Sequence, residues 1–328
     1  MNVLITGGTG FIGTRLAQRC LERGDNVTVL GRENTDAEAA NSQLLKDKGV
    51  EVVLGSMDET DKLRQVVAGK DQIFHLAAAQ HEAHMPDDYF RTINVEGTKQ
   101  LMEAALDSGV KSIVHGSTIG VYGILDGVIN EESPLNPDNI YGVTKLEGEK
   151  MALSYADRIP VTAIRISETY GPGDRRLLKL FKGVKKGVFF NIGAGKNLHH
   201  IIYVDDLISG FFKAAESDKA RGEVFVLVGE KPITTNEMVN TIAAAVGAQP
   251  PKIRIPMAPM WALAFVMEKT MKPLGLKPPL HRRRMDFFRK SFEFDQSKAR
   301  DLLGYQPEYG FEQGAKETAK WYEQGGLL

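Results

Sequence analysis

Short apolar runs alternate with segments of helical length through the first half of the chain, and this alternation constrains the fold more than any other feature. Residues 2–6, 26–30, 51–54, 72–76, 112–115 and 161–166 are each brief and rich in Val, Ile, Leu or Phe, as buried strands are. Between successive runs lies enough chain for a helix, which parallel strands require because a tight turn cannot join them. The pattern predicts an α/β fold, a doubly wound parallel sheet with helices on both faces. Beyond about position 167 the rhythm breaks. Helical segments at 204–216 and 235–246 are interspersed with Pro250-Pro251, Pro256, Pro259, Pro273 and Pro278-Pro279, which stop helices and force irregular connections. A run at 223–228 reads as a return to the sheet.

Thr6-Gly7-Gly8-Thr9-Gly10-Phe11-Ile12-Gly13 follows the first strand and opens a helix expected over 12–23. Gly7, Gly10 and Gly13 let the backbone turn tightly and approach a pyrophosphate. Phe11 and Ile12 begin a helix whose unpaired N–H groups and partial positive charge face that anion. The expected architecture is therefore Rossmann-type. Residues 1–166 form the dinucleotide-binding domain, with a return to the sheet around 200–230, and residues 167–328 mainly form a smaller, interleaved substrate-binding lobe. The end of the second strand bears on the choice of cofactor. An acidic residue there would hold the ribose hydroxyls of NAD, but the chain reads Leu30-Gly31-Arg32-Glu33. Arg32 can pair with a 2′-phosphate through its planar fork, which favours NADP; NAD, served by Glu33, is the alternative.

Tyr141-Gly142-Val143-Thr144-Lys145 sets a phenol and an ammonium four apart, on one face of an expected helix. A nearby ammonium is expected to lower the phenol's pKa and make it usable as an acid or base. Among nine tyrosines one such spacing is unremarkable alone. It gains meaning from His115-Gly116-Ser117-Thr118-Ile119-Gly120-Val121-Tyr122, which brings hydroxyls to the carboxyl end of the fifth strand, the edge where such sheets bind ligands.

The charge balance narrows the class. Forty-one basic residues face 42 acidic ones for a net charge of −1, so a general nucleic-acid binder is not expected. One cysteine, Cys20, excludes an internal disulfide and suits a reducing compartment. The longest apolar stretch, 257–267, contains Pro259 and stops at Glu268, short of the ~18 residues a membrane span needs. A soluble, cytoplasmic protein acting on a small molecule is expected. His81 and His84 have no third ligand at metal-site spacing, so no metal is expected, and His199-His200 is read as a loop without a role.

At this point the chain resembles the extended short-chain dehydrogenase/reductase family, with its NAD-dependent epimerase/dehydratases and its 3β-hydroxysteroid dehydrogenase-like branch. Further motifs carry the resemblance: Phe74-His75-Leu76-Ala77-Ala78, Asn94-Val95-Glu96-Gly97-Thr98, Tyr170-Gly171-Pro172-Gly173-Asp174, Tyr203-Val204-Asp205-Asp206 and Leu303-Gly304-Tyr305-Gln306-Pro307. The resemblance implies that Tyr141 is the acid/base on the substrate oxygen and that Lys145 holds the nicotinamide ribose. It gives Thr118 the hydroxyl that binds the same oxygen, with Ser117 as fallback. Ala77 and Ala78 would line the cofactor groove, with Asn94 close by and Ser56-Met57 beside the adenine. It also implies a homodimer through helices near 94–106 and 141–155.

Departures from the family pattern narrow the chemistry. Ile119 and Gly120 stand where dehydratases carry an acidic pair, so water loss is not expected. Glu168 stands where many nucleotide-sugar epimerases carry an Asn near the substrate's phosphates. The Met/Trp/Phe-rich stretch at 256–268 either borders an apolar substrate pocket or is plain core. Arg282–Arg284 form either a solvated turn or a contact to an anionic group. The leading expectation is hydride transfer between a nicotinamide cofactor and a secondary alcohol or ketone. The alternatives are a nucleotide-sugar epimerase using the same Thr-Tyr-Lys site and a non-catalytic NADP-binding regulatory protein.

Overall fold

The computed structural model describes residues 1–80, 85–271 and 285–328. Seven strands form the central sheet: β1 (Asn2–Thr6), β2 (Asn26–Gly31), β3 (Glu51–Leu54), β4 (Gln72–His75), β5 (Ser112–Thr118), β6 (Val161–Ile166) and β7 (Val224–Leu227). Their spatial order is β7-β6-β5-β4-β1-β2-β3, and every adjacent pair is parallel. The chain winds outward from β1 to β3, then starts again with β4 on the other side of β1. That reversal opens a crevice at the carboxyl ends of β1 and β4.

Among the described residues the α-helices in chain order are α1 (Phe11–Glu22), α2 (Asp36–Asp47), α3 (Thr60–Val67), α4 (Asp87–Arg91), α5 (Gly97–Asp107), α6 (Ile140–Leu153), α7 (Leu178–Lys185), α8 (Val204–Glu216), α9 (Thr235–Ala245), α10 (Met257–Met271), α11 (Ser297–Leu303) and α12 (Phe311–Gln324). Alternation within β1 explains why both sheet faces need them. Val3 and Ile5 join Leu16 and Cys20 of α1 and Phe211 of α8 in one buried cluster. Leu4 points the other way, toward Leu63 of α3, Leu101 of α5 and Ala152 of α6, because neighbouring strand residues face opposite sides. A smaller core joins α7, α9 and α12 through Phe181, Ile242, Ala319 and Tyr322.

Three features differ from the sequence reading. First, β5 runs three residues further than expected, through Gly116, Ser117 and Thr118, which pair with Ile164, Arg165 and Ile166 of β6. Second, His199 is not in a loop. It pairs with Ile233 in a two-residue antiparallel ladder, and the His199 and His200 rings are both buried. His200 Nδ1 accepts from the Phe294 N–H at 3.1 Å, so the ring proton sits on Nε2, 3.2 Å from the Gly229 carbonyl. Third, α10 is not plain core. Only Ala264 and Glu268 of its residues are buried. His81, His84 and Arg282–Arg284 lie outside the described residues.

Candidate active site

The crevice between β1 and β4 is built for close approach of backbone. Gly7 has φ +71°, and a Cβ there would lie 2.7 Å from Ala77 N. A Cβ on Gly13 would lie 2.4 Å from the Gly7 carbonyl oxygen. Only glycine fits either position. Helix α1 begins at Gly10 with no side-chain cap, so its first N–H groups point outward at the turn. Ala77 and Ala78 are half-buried beside it, and Ala77 N donates to Thr6 Oγ1 at 3.2 Å.

Around the glycine turn the other expected residues fall into two groups. Arg32 stands just past the end of β2, its N–H donating to Thr9 Oγ1 at 3.1 Å and its guanidinium donating to the Tyr89 hydroxyl at 2.7 Å. Glu33 is drawn aside to Lys46, 3.3 Å away. Ser56 follows β3, its N–H bonded to Glu59 at 2.7 Å. The Met57 side chain is enclosed in the core with Leu63 and Ile93. Asn94 lies in a π-helical turn (Thr92–Glu96), a wider turn that recurs at functional sites. Its amide accepts from Ala79 N at 2.8 Å and donates to Ala79 O at 3.1 Å and to Thr144 Oγ1 at 2.9 Å.

Thr118 ends β5 and Tyr141 opens α6 beside it. Asn139 caps α6 by accepting from Gly142 N at 3.0 Å, which sets Tyr141 in the first turn. Thr118 Oγ1 accepts from Gly120 N at 3.1 Å and lies close enough to the Tyr141 phenol to lower its pKa. Burial pushes that phenol up to about 12, against the downward pull of Thr118 and of the Arg176 charge. Tyr141 is half-buried, enclosed by protein yet wetted from the cleft. Lys145 is not among the groups that shift this phenol. Its ammonium is committed elsewhere, donating to the Gly116 carbonyl at 2.6 Å.

Lys145 is itself buried, and burial lowers its pKa to about 8, with Glu149 pulling the other way. Tyr141, Lys145 and Glu149 are spaced four apart on α6 and share one face. Glu149 forms a buried ion pair with Arg165 at 2.7 Å, and Arg165 donates to the Tyr122 hydroxyl at 2.7 Å. Ser117 is spent on this network, donating to Glu149 at 2.6 Å, which leaves Thr118 as the hydroxyl beside Tyr141. Glu149 went unremarked in the sequence, although its spacing of four from Lys145 was the available signal.

The far wall carries charge. Glu168 is 57 % exposed, and enclosure by the cleft raises its carboxyl, which Arg176 lowers and Asp174 raises. His199 Nδ1 lies 3.9 Å away. Arg176 pairs with Asp174 at 3.1 Å and donates to the Thr169 carbonyl. Behind the cleft, His75 and His115 lie 5.0 Å apart. His75 bonds Thr6 and Thr98, whereas neither nitrogen of His115 has a hydrogen-bond partner among the described residues. Burial holds His75 at about 3 and His115 well below its usual value, so both are neutral.

A glycine-turned crevice at the switch point of a parallel sheet, with a phenol, a hydroxyl and an ammonium on the same edge, defines the dinucleotide-using class of α/β enzymes. Residues 3–228 match the NAD dependent epimerase/dehydratase family, and the chain belongs to that family. Over 96% of its length it is 27% identical to 3beta-hydroxysteroid-dehydrogenase/decarboxylase isoform 2 of Arabidopsis thaliana, 61% of which it spans. Over 98% of its length it is 26% identical to the N-acetyl-alpha-D-glucosaminyl-diphospho-ditrans,octacis-undecaprenol 4-epimerase of Escherichia coli O157:H7, 95% of which it spans. Among solved structures, the UDP-glucuronic acid 4-epimerase of Bacillus cereus in complex with NAD superposes with a TM-score of 0.79 at 25% identity, over 99% of both chains.

Proposed function

We propose that the chain transfers hydride between a nicotinamide cofactor and a secondary alcohol or ketone, with Tyr141 as the acid/base. The observation that carries this reading is the placement of Thr118, at the end of β5, beside Tyr141 in the first turn of α6, on the sheet edge that also holds the glycine turn. The uncapped start of α1 and the spaces at Gly7 and Gly13, too small for a side chain, fit a dinucleotide pyrophosphate. When bound, the nicotinamide would give hydride to, or take it from, the substrate carbon.

The chain's own residues handle the proton. In reduction, Tyr141 gives its phenolic proton to the carbonyl oxygen as that oxygen gains charge, and Thr118 holds the oxygen by a second hydrogen bond. A phenol pushed up to about 12 is protonated at neutral pH, which suits the reductive direction. Lys145, fixed to the Gly116 carbonyl, positions α6 against β5 and presents a cation to the ribose. For the cofactor we favour NADP over NAD, because Arg32 stands past the end of β2 while Glu33 is turned to Lys46. The same reading has two copies pairing through α5 and α6, which sedimentation tests directly.

A second reading is a nucleotide-sugar epimerase. It draws on the epimerases among the relatives and on Arg176, a cation beside the cleft. Glu168 opposes it by facing any diphosphate with a carboxylate. One experiment separates the readings. Candidate ketones, alcohols and sugar nucleotides are offered with NADP or NAD while nicotinamide absorbance and sugar configuration are followed. Net absorbance change supports hydride transfer to substrate, and inversion without net change supports the epimerase. Binding without turnover overturns both in favour of a regulatory nucleotide binder. In the active case Tyr141→Phe lowers turnover by about 10²–10⁴-fold with cofactor affinity kept.

A further inference from the structure

The smaller lobe leaves an apolar ridge in water. Helix α10 is fifteen residues long, Met-Ala-Pro-Met-Trp-Ala-Leu-Ala-Phe-Val-Met-Glu-Lys-Thr-Met, yet Trp261 is 40 % exposed, Leu263 49 %, Phe265 38 % and Val266 54 %. Ala258, Pro259 and Ala262 are exposed beside them. At 100° per residue, the helix rests on the narrow arc through Met257, Met260, Ala264, Met267 and Glu268. The exposed apolar side chains cover about 200° of the opposite circumference, far wider than the ~100° stripe a helix buries against a protein partner. The Trp261 and Phe265 rings stack along it at 6.1 Å. Exposed Ile253, just before the short strand Arg254–Ile255 that leads into the helix, extends the same surface.

Charge indicates what covers this ridge. Between positions 251 and 271 the sequence holds three basic residues and one acidic one, in a chain whose net charge is −1, so the remainder is net acidic. Exposed Lys252, Arg254 and Lys269 flank the ridge itself. A second copy of the chain would bring a like-charged segment against this one, and a rigid partner helix would cover only part of so convex a ridge. A bilayer surface closes around a convex apolar ridge, and anionic headgroups meet the flanking cations. No helix among the described residues is long and apolar enough to cross a membrane, so the contact is lateral. We infer that α10 seats the protein on membranes rich in anionic phospholipid, with Trp261, Leu263, Phe265 and Val266 entering the headgroup boundary.

The test uses the full chain with vesicles of phosphatidylcholine alone or with about one-third phosphatidylglycerol, pelleted and assayed for bound protein. The expected result is strong pelleting with anionic vesicles, weak pelleting with neutral ones, and release as salt rises. Replacing Trp261, Leu263, Phe265 and Val266 together with Ser lowers the partition coefficient by at least about tenfold. Circular dichroism and a urea melt of the fourfold variant establish that it is folded. Lys252→Glu with Lys269→Glu weakens only the anionic-vesicle binding. Absence of pelleting overturns the inference, as does undiminished pelleting of the fourfold variant. A dimer in solution that the fourfold Ser variant splits, without vesicle binding, assigns the ridge to a second copy and equally overturns it.

Discussion

Lysine 145 offers the sharpest test of the site's electrostatics. Its ammonium is 3 % exposed, and burial lowers its pKa from 10.5 to about 8. Below the folded-state value both the folded and the unfolded chain carry this proton, and folding bears the full cost of burying the charge. Between the two values the folded chain has released the proton while the unfolded chain keeps it. The unfolded state then binds more protons, and stability rises with pH. Lys145→Met keeps the buried volume and removes the titration. From about pH 7 to about pH 9.5, the wild-type chain gains about 2 kcal/mol of stability relative to this variant. Paired urea melts at both pH values measure it, and subtracting one chain from the other cancels every other titrating group. A difference that stays flat with pH, or shrinks in the opposite sense, refutes a charge held in a dry pocket. It would also remove the reason for assigning Lys145 a fixed position against β5.

Three further outcomes follow from the same structure. Glu149→Gln leaves the buried Arg165 guanidinium without its anion and costs about 3 kcal/mol of unfolding free energy, read by urea melts; a neutral effect would mean the pair is solvated. Gly13→Ala drives a Cβ to 2.4 Å from a backbone oxygen, so dinucleotide binding by fluorescence titration is lost, with at least about 1–3 kcal/mol of destabilisation. Cys20 is fully buried, and burial raises its thiol to about 12. A thiol reagent therefore labels it only on unfolding, and rapid labelling of the native chain would contradict its place in the core.

The frame of the protein was legible where local chemistry and tertiary burial agree. Val161-Thr162-Ala163-Ile164-Arg165-Ile166 is apolar or β-branched at five of six positions, and β6 coincides with the expected run. Where they disagree, the reading fell short. Gly116-Ser117-Thr118 has no apolar signal, and pairing with β6 makes it strand. The ladder of Leu198–His199 with Ile233–Thr234 joins segments too short and too distant for any periodicity to register. Helix α10 misled for a different reason. Composition reports how apolar a segment is but not what it faces, and interior-type residues there stand in water. At the site, the i, i+4 spacing brought out Tyr141 and Lys145, but only coordinates showed where the ammonium points. Its bond to the Gly116 carbonyl depends on the length of β5, which the sequence did not reveal.

The amide of Asn94 has a consequence for how the crevice holds together. Ala79 offers it both a donor and an acceptor, so the side chain behaves like one residue of an added strand. Its third bond reaches Thr144, the residue before Lys145. A single primary amide thus rivets the wall that follows β4 to the helix bearing Tyr141. Aspartate, with the same outline, has no N–H to offer Ala79 or Thr144 and would loosen both attachments. Clamped in this way, the segment after β4 and the helix bearing Tyr141 shift as one piece.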